Sequence, residues 1–223
     1  EVEWDTEGDT EGDTAATEEN SKSNLNLAGL KFASATTKLS TTPTGILYGP
    51  TETISYAHYR LIPSYILLRR LLLEVTSTLP NWTPTNVLDF GCGPGPGAVA
   101  ARELWGDKVG TYTGVDYSLS QREMAQFVLS KSDTAAIHDF TFVESIEFVD
   151  PQKTFDLIIV HNTMSEQITT ANNKLIVSHL YERLSGGGVW LLVEPGTPTG
   201  FANTLIARNF VIGEGGDIVA PCP

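Results

Sequence analysis

The chain has 223 residues, enough to bury the core of one Rossmann-sized domain. Its formal charge of −13 argues against broad nucleic-acid binding, which needs a basic face. No apolar run is long enough to span a bilayer, no secretory hydrophobic region is present, and two cysteines give no disulfide framework and fit a reducing compartment.

Residues 1–24 are expected to be a disordered acidic segment. Nine acids and no base fall in the first twenty residues, and without them the charge is only −4. The repeat Asp5-Thr6-Glu7-Gly8-Asp9-Thr10-Glu11-Gly12-Asp13-Thr14 cannot bury apolar area; it reads as solvated filler or as an electrostatic tail. An acidic start is the opposite of a mitochondrial presequence, yet the chain opens on Glu1 rather than Met, so an upstream segment is expected.

Residues 25–84 read as a Thr/Ser-rich approach followed by helices. The helical pattern runs from Ser55 to Ile62, is interrupted by Pro63, and resumes from Tyr65 to about Thr78. Ile66, Leu68, Leu71, Leu72 and Val75 recur near helical spacing as the buried stripe, and Arg69, Arg70 and Glu74 reach solvent. Pro80, Asn81 and Pro84 end this segment.

The domain expected over 85–223 alternates regularly. Strands are predicted at Asn86–Phe90, Thr111–Val115, Thr141–Val143, Phe155–Val160 and Gly188–Val193. Helices are predicted at Gly97–Trp105, Ser120–Ser130 and Asn172–Leu184, with Gly186-Gly187-Gly188 as the turn into the last strand. Such alternation implies an α/β, Rossmann-like doubly wound, mostly parallel sheet with right-handed crossovers. The fold ordinarily adds one or two further strands, so a domain incomplete at its C-terminus is expected.

The run Val87-Leu88-Asp89-Phe90-Gly91-Cys92-Gly93-Pro94-Gly95-Pro96-Gly97 is a strand, a glycine-rich turn and the start of a helix, the nucleotide-binding corner of such a sheet. Its spacing is not the G-x-G-x-x-G of dinucleotide binders. The form D-x-G-x-G-x-G resembles instead the first motif of class I S-adenosylmethionine (SAM) methyltransferases, which makes Asp89, Gly91, Gly93 and Gly95 candidate cofactor-binding residues. Asp89 either orients the loop, faces the cofactor's charged end, or bonds loop amides as an ordinary strand-end carboxylate. Asp116 directly follows the second strand, where a carboxylate suits a ribose diol; the alternative is a cap on the next helix with Ser118 or Ser120.

The end of the fourth strand, His161-Asn162-Thr163-Met164-Ser165-Glu166, lacks the Asn/Asp-Pro-Pro-aromatic pattern of base-modifying amino-methyltransferases. His161 is a general base or, more commonly at a strand end, a structural hydrogen-bonding group. Cys92 lies inside the glycine loop and reads as a small filler rather than a nucleophile. The catalytic residues stay unassigned. Glu194 to Phe201 reads as a rigid Pro/Gly loop that presents a surface or lids the cleft, followed by a short helix ending at Arg208.

Glu194-Pro195-Gly196-Thr197-Pro198, with Gly200-Phe201 and Ala207-Arg208, resembles the signature of the methyltransferase-like proteins of the mitochondrial small ribosomal subunit and their bacterial relatives. Tyr56, Tyr59-Arg60, Pro63 and Tyr65 resemble that family's leading helix, and Leu88-Asp89-Phe90-Gly91 with Gly93-Pro94-Gly95 its first motif. Val219-Ala220-Pro221-Cys222-Pro223 is similar to the opening of its Cys-rich segment. The resemblance implies a SAM-binding factor of the mitochondrial matrix that assists small-subunit assembly and translation and binds small-subunit rRNA, with no membrane association and no homo-oligomer. An active rRNA methyltransferase is the alternative, and a small-molecule methyltransferase the more distant one. It also implies an iron–sulfur cluster in several members. Here Cys222 alone of that ligand set is present, a candidate metal ligand in an intact longer protein, since a cluster needs about four thiolates. Arg60, Arg69, Arg70, Arg102 and Arg208 are the candidate phosphate contacts, each otherwise a solvated helix charge.

Overall fold

A computed structural model describes residues 48–131, 139–167 and 170–220. The N-terminal helices start earlier than the pattern predicts. Helix α1 (Pro50–Tyr56) opens with Pro50 behind the cap Gly49, and α2 (Ile62–Thr78) follows without a break. Between them, Ala57–Leu61 forms a π-helical turn. Pro63 has no N–H to donate to the preceding turn, and the widened turn absorbs that loss, so the proline does not end the helix.

The sheet contains β1 (Asn86–Phe90), β2 (Thr111–Val115), β3 (Asp139–Val143), β4 (Phe155–His161) and β5 (Leu184–Val193), in the order β3-β2-β1-β4-β5 and parallel throughout. Helices α3 (Pro96–Trp105), α4 (Leu119–Ser130), α5 (Thr170–Tyr181) and α6 (Pro198–Gly213) complete it. This is the expected Rossmann-like doubly wound sheet, parallel in every pairing. Order reverses between β1 and β4, so the crevice beyond their carboxyl ends is where such a sheet takes a ligand.

Period-two alternation divides the core into two layers. Val87, Leu157 and Ile159 face one side with Leu68, Leu72 and Val75 of α2, Ala98, Ala101 and Trp105 of α3, and Tyr112. Leu88, Ile158 and Val160 face the other with Ile176, Val177 and Leu180 of α5 and Ala207 and Phe210 of α6. Ile66, assigned above to the buried stripe, is 58% exposed, since two residues carry it about 200° around the helix from Leu68.

Boundaries differ from expectation by more than one residue at α5 and β5, at β3 and in the loop after β5. α5 stops at Tyr181 and β5 begins at Leu184, so Gly186–Gly188 form an irregularity inside the strand. There the register jumps from Phe155↔Leu184 to Leu157↔Val189. β3 starts two residues early, at Asp139, paired with Thr111. The loop after β5 is only Glu194–Thr197. Pro198 is the first residue of α6, the Thr197 side chain caps it by accepting from the Gly200 amide at 3.1 Å, and the helix runs past Arg208 to Gly213.

Candidate functional site

β1 delivers Asp89 and then turns through the glycine loop. The amides of Gly91 and Cys92 both donate to the Val115 carbonyl, at 2.7 and 3.0 Å, which ties the loop to the end of β2. Gly91 has φ of 76°. A Cβ there would sit 2.0 Å from the Thr163 hydroxyl, which itself donates to the Phe90 carbonyl at 3.1 Å. Gly97 sits where α3 crosses Asp89, and a Cβ would meet the Asp89 carboxylate at 2.5 Å. These two glycines let the loop and helix close onto β1.

Asp89 is 2% exposed and accepts from the Tyr112 hydroxyl at 2.5 Å. Burial pushes its carboxyl up to about 7, against the lowering effect of that hydrogen bond; the nearby Asp116 adds to the rise. It lies at the end of β1 beneath α3, capped by the tyrosine.

Asp116 accepts from the Gly93 amide at 2.9 Å and from the Ser118 amide at 2.9 Å, one on each oxygen. Burial raises its carboxyl, and both backbone hydrogen bonds and Arg122 oppose the rise. The cap of α4 is Ser118, whose hydroxyl accepts from the Gln121 amide at 3.2 Å. Asp116 therefore braces the glycine loop rather than capping the helix, and each oxygen keeps a lone pair for a further donor.

Residues from several elements gather around the carboxyl ends of β1, β2 and β4. Tyr48 donates its hydroxyl to Glu166 at 3.3 Å, its carbonyl accepts from the Ser118 hydroxyl at 2.6 Å, and its ring meets Tyr56 edge-on at 5.3 Å. Tyr48 thus bridges the residues after β2 to those after β4. Burial raises the Glu166 carboxyl first, and Asp116 and Glu194 raise it further. At Gly93, with φ of 50°, a Cβ position has nothing nearer than Gln121 Oε1 and Tyr56 Cε1, each 4.0 Å away.

His161 ends β4, buried, and its Nε2 lies 3.1 Å from the Asn162 amide nitrogen. Burial first, and then the charge of Arg60, pull its imidazole down to about 4, so the ring is neutral at physiological pH. With the amide donating, Nε2 is the acceptor and the proton sits on Nδ1. Asn162 takes the left-handed conformation with φ of 57°. Cys92 is buried in the loop, its thiol pushed well up by burial and by Asp89, which leaves a filler and no nucleophile.

Glu194 anchors a polar cluster. It accepts from the Met164 amide at 3.1 Å, from the Ser165 hydroxyl, and from the Asn203 amide at 3.4 Å, and Asn203 in turn accepts from Asn173 at 2.8 Å. This cluster fastens the loop after β4 to β5 and α6. Of the candidate phosphate contacts, Arg102 is 6% exposed with Nη1 donating to the Leu129 carbonyl at 3.1 Å, so it cannot reach a phosphate. Arg69 pairs with Glu103 at 2.7 Å, and Arg60 and Arg70 are exposed. Among the described residues no three His, Cys, Asp or Glu side chains converge as a metal site, no helix is long and apolar enough to cross a membrane, and Cys222 lies outside those residues, as does the acidic segment 1–24.

The structure thus brings Asp89, Gly91, Gly93, Gly95 and Asp116 to one corner, as the motif spacing requires. Sequence reasoning missed Tyr48, Tyr112, Gln121 and Glu166 around it. Only Gln121 carried a local signal, as the fourth residue of Ser118-Leu119-Ser120-Gln121, an S-x-x-Q helix start.

The profile of the family described as mitochondrial small ribosomal subunit Rsm22 matches residues 50–223. A human protein named mitochondrial ribosome assembly protein METTL17 is 28% identical over 180 residues, which are 75% of this chain and 39% of that protein. The chain therefore spans about two fifths of the relative's length. A SAM-bound amino pentose methyltransferase of calicheamicin biosynthesis from Micromonospora echinaspora overlaps 68% of this chain and 58% of its own, with TM-score 0.49 and 17% identity. A SAM-dependent methyltransferase from Clostridium acetobutylicum overlaps 64% and 56%, with TM-score 0.48 and 18% identity.

Proposed function

This chain belongs to the mitochondrial small ribosomal subunit Rsm22 family, and from that premise we propose that it serves the assembly of the mitochondrial small ribosomal subunit as a SAM-binding factor that contacts small-subunit rRNA. The family match over residues 50–223 carries this reading, and the relative named as a ribosome assembly protein supports it. The place of action is the mitochondrial matrix. Residues 85–223 make up the SAM-binding domain, preceded by the helices of α1 and α2.

The corner fits a cofactor of this class. A Cβ at Gly93 would meet its nearest neighbours only at 4.0 Å, and Gln121 Oε1 and the Asp116 carboxylate beside it are acceptors suited to the hydroxyls and ammonium of SAM. Asp116 takes the ribose diol. Asp89, held by Tyr112, keeps β1 and α3 together so that the loop of Gly91, Gly93 and Gly95 can approach the ligand. Bound SAM supplies an electrophilic methyl group on a sulfonium. The residues after β4 supply little to use it: His161 is buried, neutral and engaged with Asn162. The methyltransferase fold therefore serves here mainly as a ligand-dependent scaffold. The described residues offer no place for an iron–sulfur cluster.

Gradient sedimentation of the full-length protein from mitochondrial lysate tests the ribosomal reading. It should travel with small-subunit particles, and a protein found only in the free fraction would refute the assignment. Calorimetry with SAM tests the cofactor reading, which fails if no heat of binding appears at millimolar ligand.

A further inference from the structure

We propose that Gln121 is a ligand-contacting residue, a second hydrogen-bond acceptor beside Asp116 for the ribose of the adenosine-containing cofactor. The inference rests on the cofactor reading above and names a residue that neither the glycine motif nor the strand-end acid identifies.

The argument begins at the start of α4. In a capping box the cap hydroxyl accepts from the amide three residues on, and the Gln side chain reaches back to the cap residue's own amide. The first half is made here, Ser118 accepting from the Gln121 amide at 3.2 Å. The second half is not, because the Ser118 amide already donates to Asp116 at 2.9 Å. Asp116 has displaced the Gln121 side chain from its ordinary partner.

That displacement leaves a costly group. Gln121 is 2% exposed, and its Oε1 is buried with no partner among the described residues. An unsatisfied buried acceptor costs on the order of a hydrogen bond or more, and such groups are rare in native structures. The oxygen lies 4.0 Å from where a Gly93 Cβ would be. Asp116 contacts the same residue from another side, through the Gly93 amide. Two acceptors therefore flank one glycine of the loop. A vicinal diol offers two O–H donors, which Asp116 and Gln121 can share.

The test uses calorimetry with S-adenosylhomocysteine and its 2′-deoxy and 3′-deoxy analogues, on the wild-type protein and on Gln121→Leu and Gln121→Glu. The leucine removes the acceptor at similar volume, and the glutamate keeps it. Wild type should bind one of the two deoxy analogues about tenfold more weakly than the parent, the size of one hydrogen bond to a buried group. Gln121→Leu should bind the parent about tenfold more weakly and no longer distinguish it from that analogue. Gln121→Glu should retain the distinction. A purely structural role, or one confined to holding water, would weaken all three ligands together in Gln121→Leu and leave both ratios as in wild type, and that result overturns the proposal. If wild type binds none of the ligands, the cofactor reading fails and takes this inference with it; unchanged ratios with sound binding refute Gln121 alone.

Discussion

Asp89→Asn is expected to stabilise this protein above neutral pH while leaving it nearly unchanged near pH 4. The carboxyl is fully buried, and burial moves it from an ordinary value of 3.8 to about 7. The folded chain thus binds a proton more tightly than the unfolded chain. Between pH 4 and 7 the folded state holds the extra proton, so stability falls as pH rises through that window and levels off above it. At about 1.4 kcal/mol per pH unit, the interval corresponds to about 4 kcal/mol. Asparagine has the same shape, still accepts from Tyr112, and cannot ionise. The variant should therefore gain up to about 4 kcal/mol over wild type at pH 8, partly by relieving repulsion with Asp116, and differ by less than about 1 kcal/mol at pH 4. Urea denaturation of both proteins at five pH values gives the difference curve, in which the titration of Glu166 and His161 largely cancels. A flat difference, or one that grows toward low pH, would refute the assignment of a raised Asp89.

His161 works in the opposite direction: with its folded value lowered to about 4 from 6.5, it contributes stability that is lost as pH falls below 6.5, and His161→Gln should flatten a decline of up to about 3 kcal/mol between pH 6.5 and 4 in the same urea series. Gly91→Ala forces a side chain onto Thr163 at 2.0 Å with φ of 76°, and should cost at least about 2 kcal/mol in thermal unfolding, with Thr163→Ala recovering part of it. Gly200→Ala meets the Pro195 carbonyl at 2.1 Å, a backbone atom that cannot swing aside; it should lower the melting temperature, and a neutral result would mean that the turn Glu194–Thr197 is loose. Asp116→Ala should weaken SAM binding by about 1–3 kcal/mol by calorimetry, since it removes both an acceptor and the brace on Gly93.

The order of strands and helices from Asn86 onward was legible in the chain, because period-two apolar runs and glycine turns are local signals. So was the glycine loop, whose spacing needs no partner to be recognised. Pro63 misled the reading of the first helices, since whether a proline ends a helix depends on a turn that can widen next to it. Pro198 misled in another way: a proline fits a loop and a first helical turn equally well, and only the Thr197 cap distinguishes them. Ile66 carries the same apolar character as Leu68, yet packing of α2 against α3 buries one and exposes the other. Arg102 shows the converse, a cation that composition places at the surface and α4 covers. The contacts around the carboxyl ends of β1, β2 and β4 belong wholly to tertiary structure. Tyr48 and Glu166 stand 118 residues apart, and Asp89 and Tyr112 stand 23 apart. No local pattern links such pairs; parallel strand pairing brings Asp89 beside Gly114, and chain return across the sheet edge brings Glu166 to Tyr48. The chain by itself determined the corner and the family, since both reside in short contiguous motifs. Which acids are buried, which acceptor is left without a donor, and how near Gln121 and Tyr56 come to Gly93 were decided only when distant segments closed over that corner, because desolvation and hydrogen-bond competition act between neighbours in space.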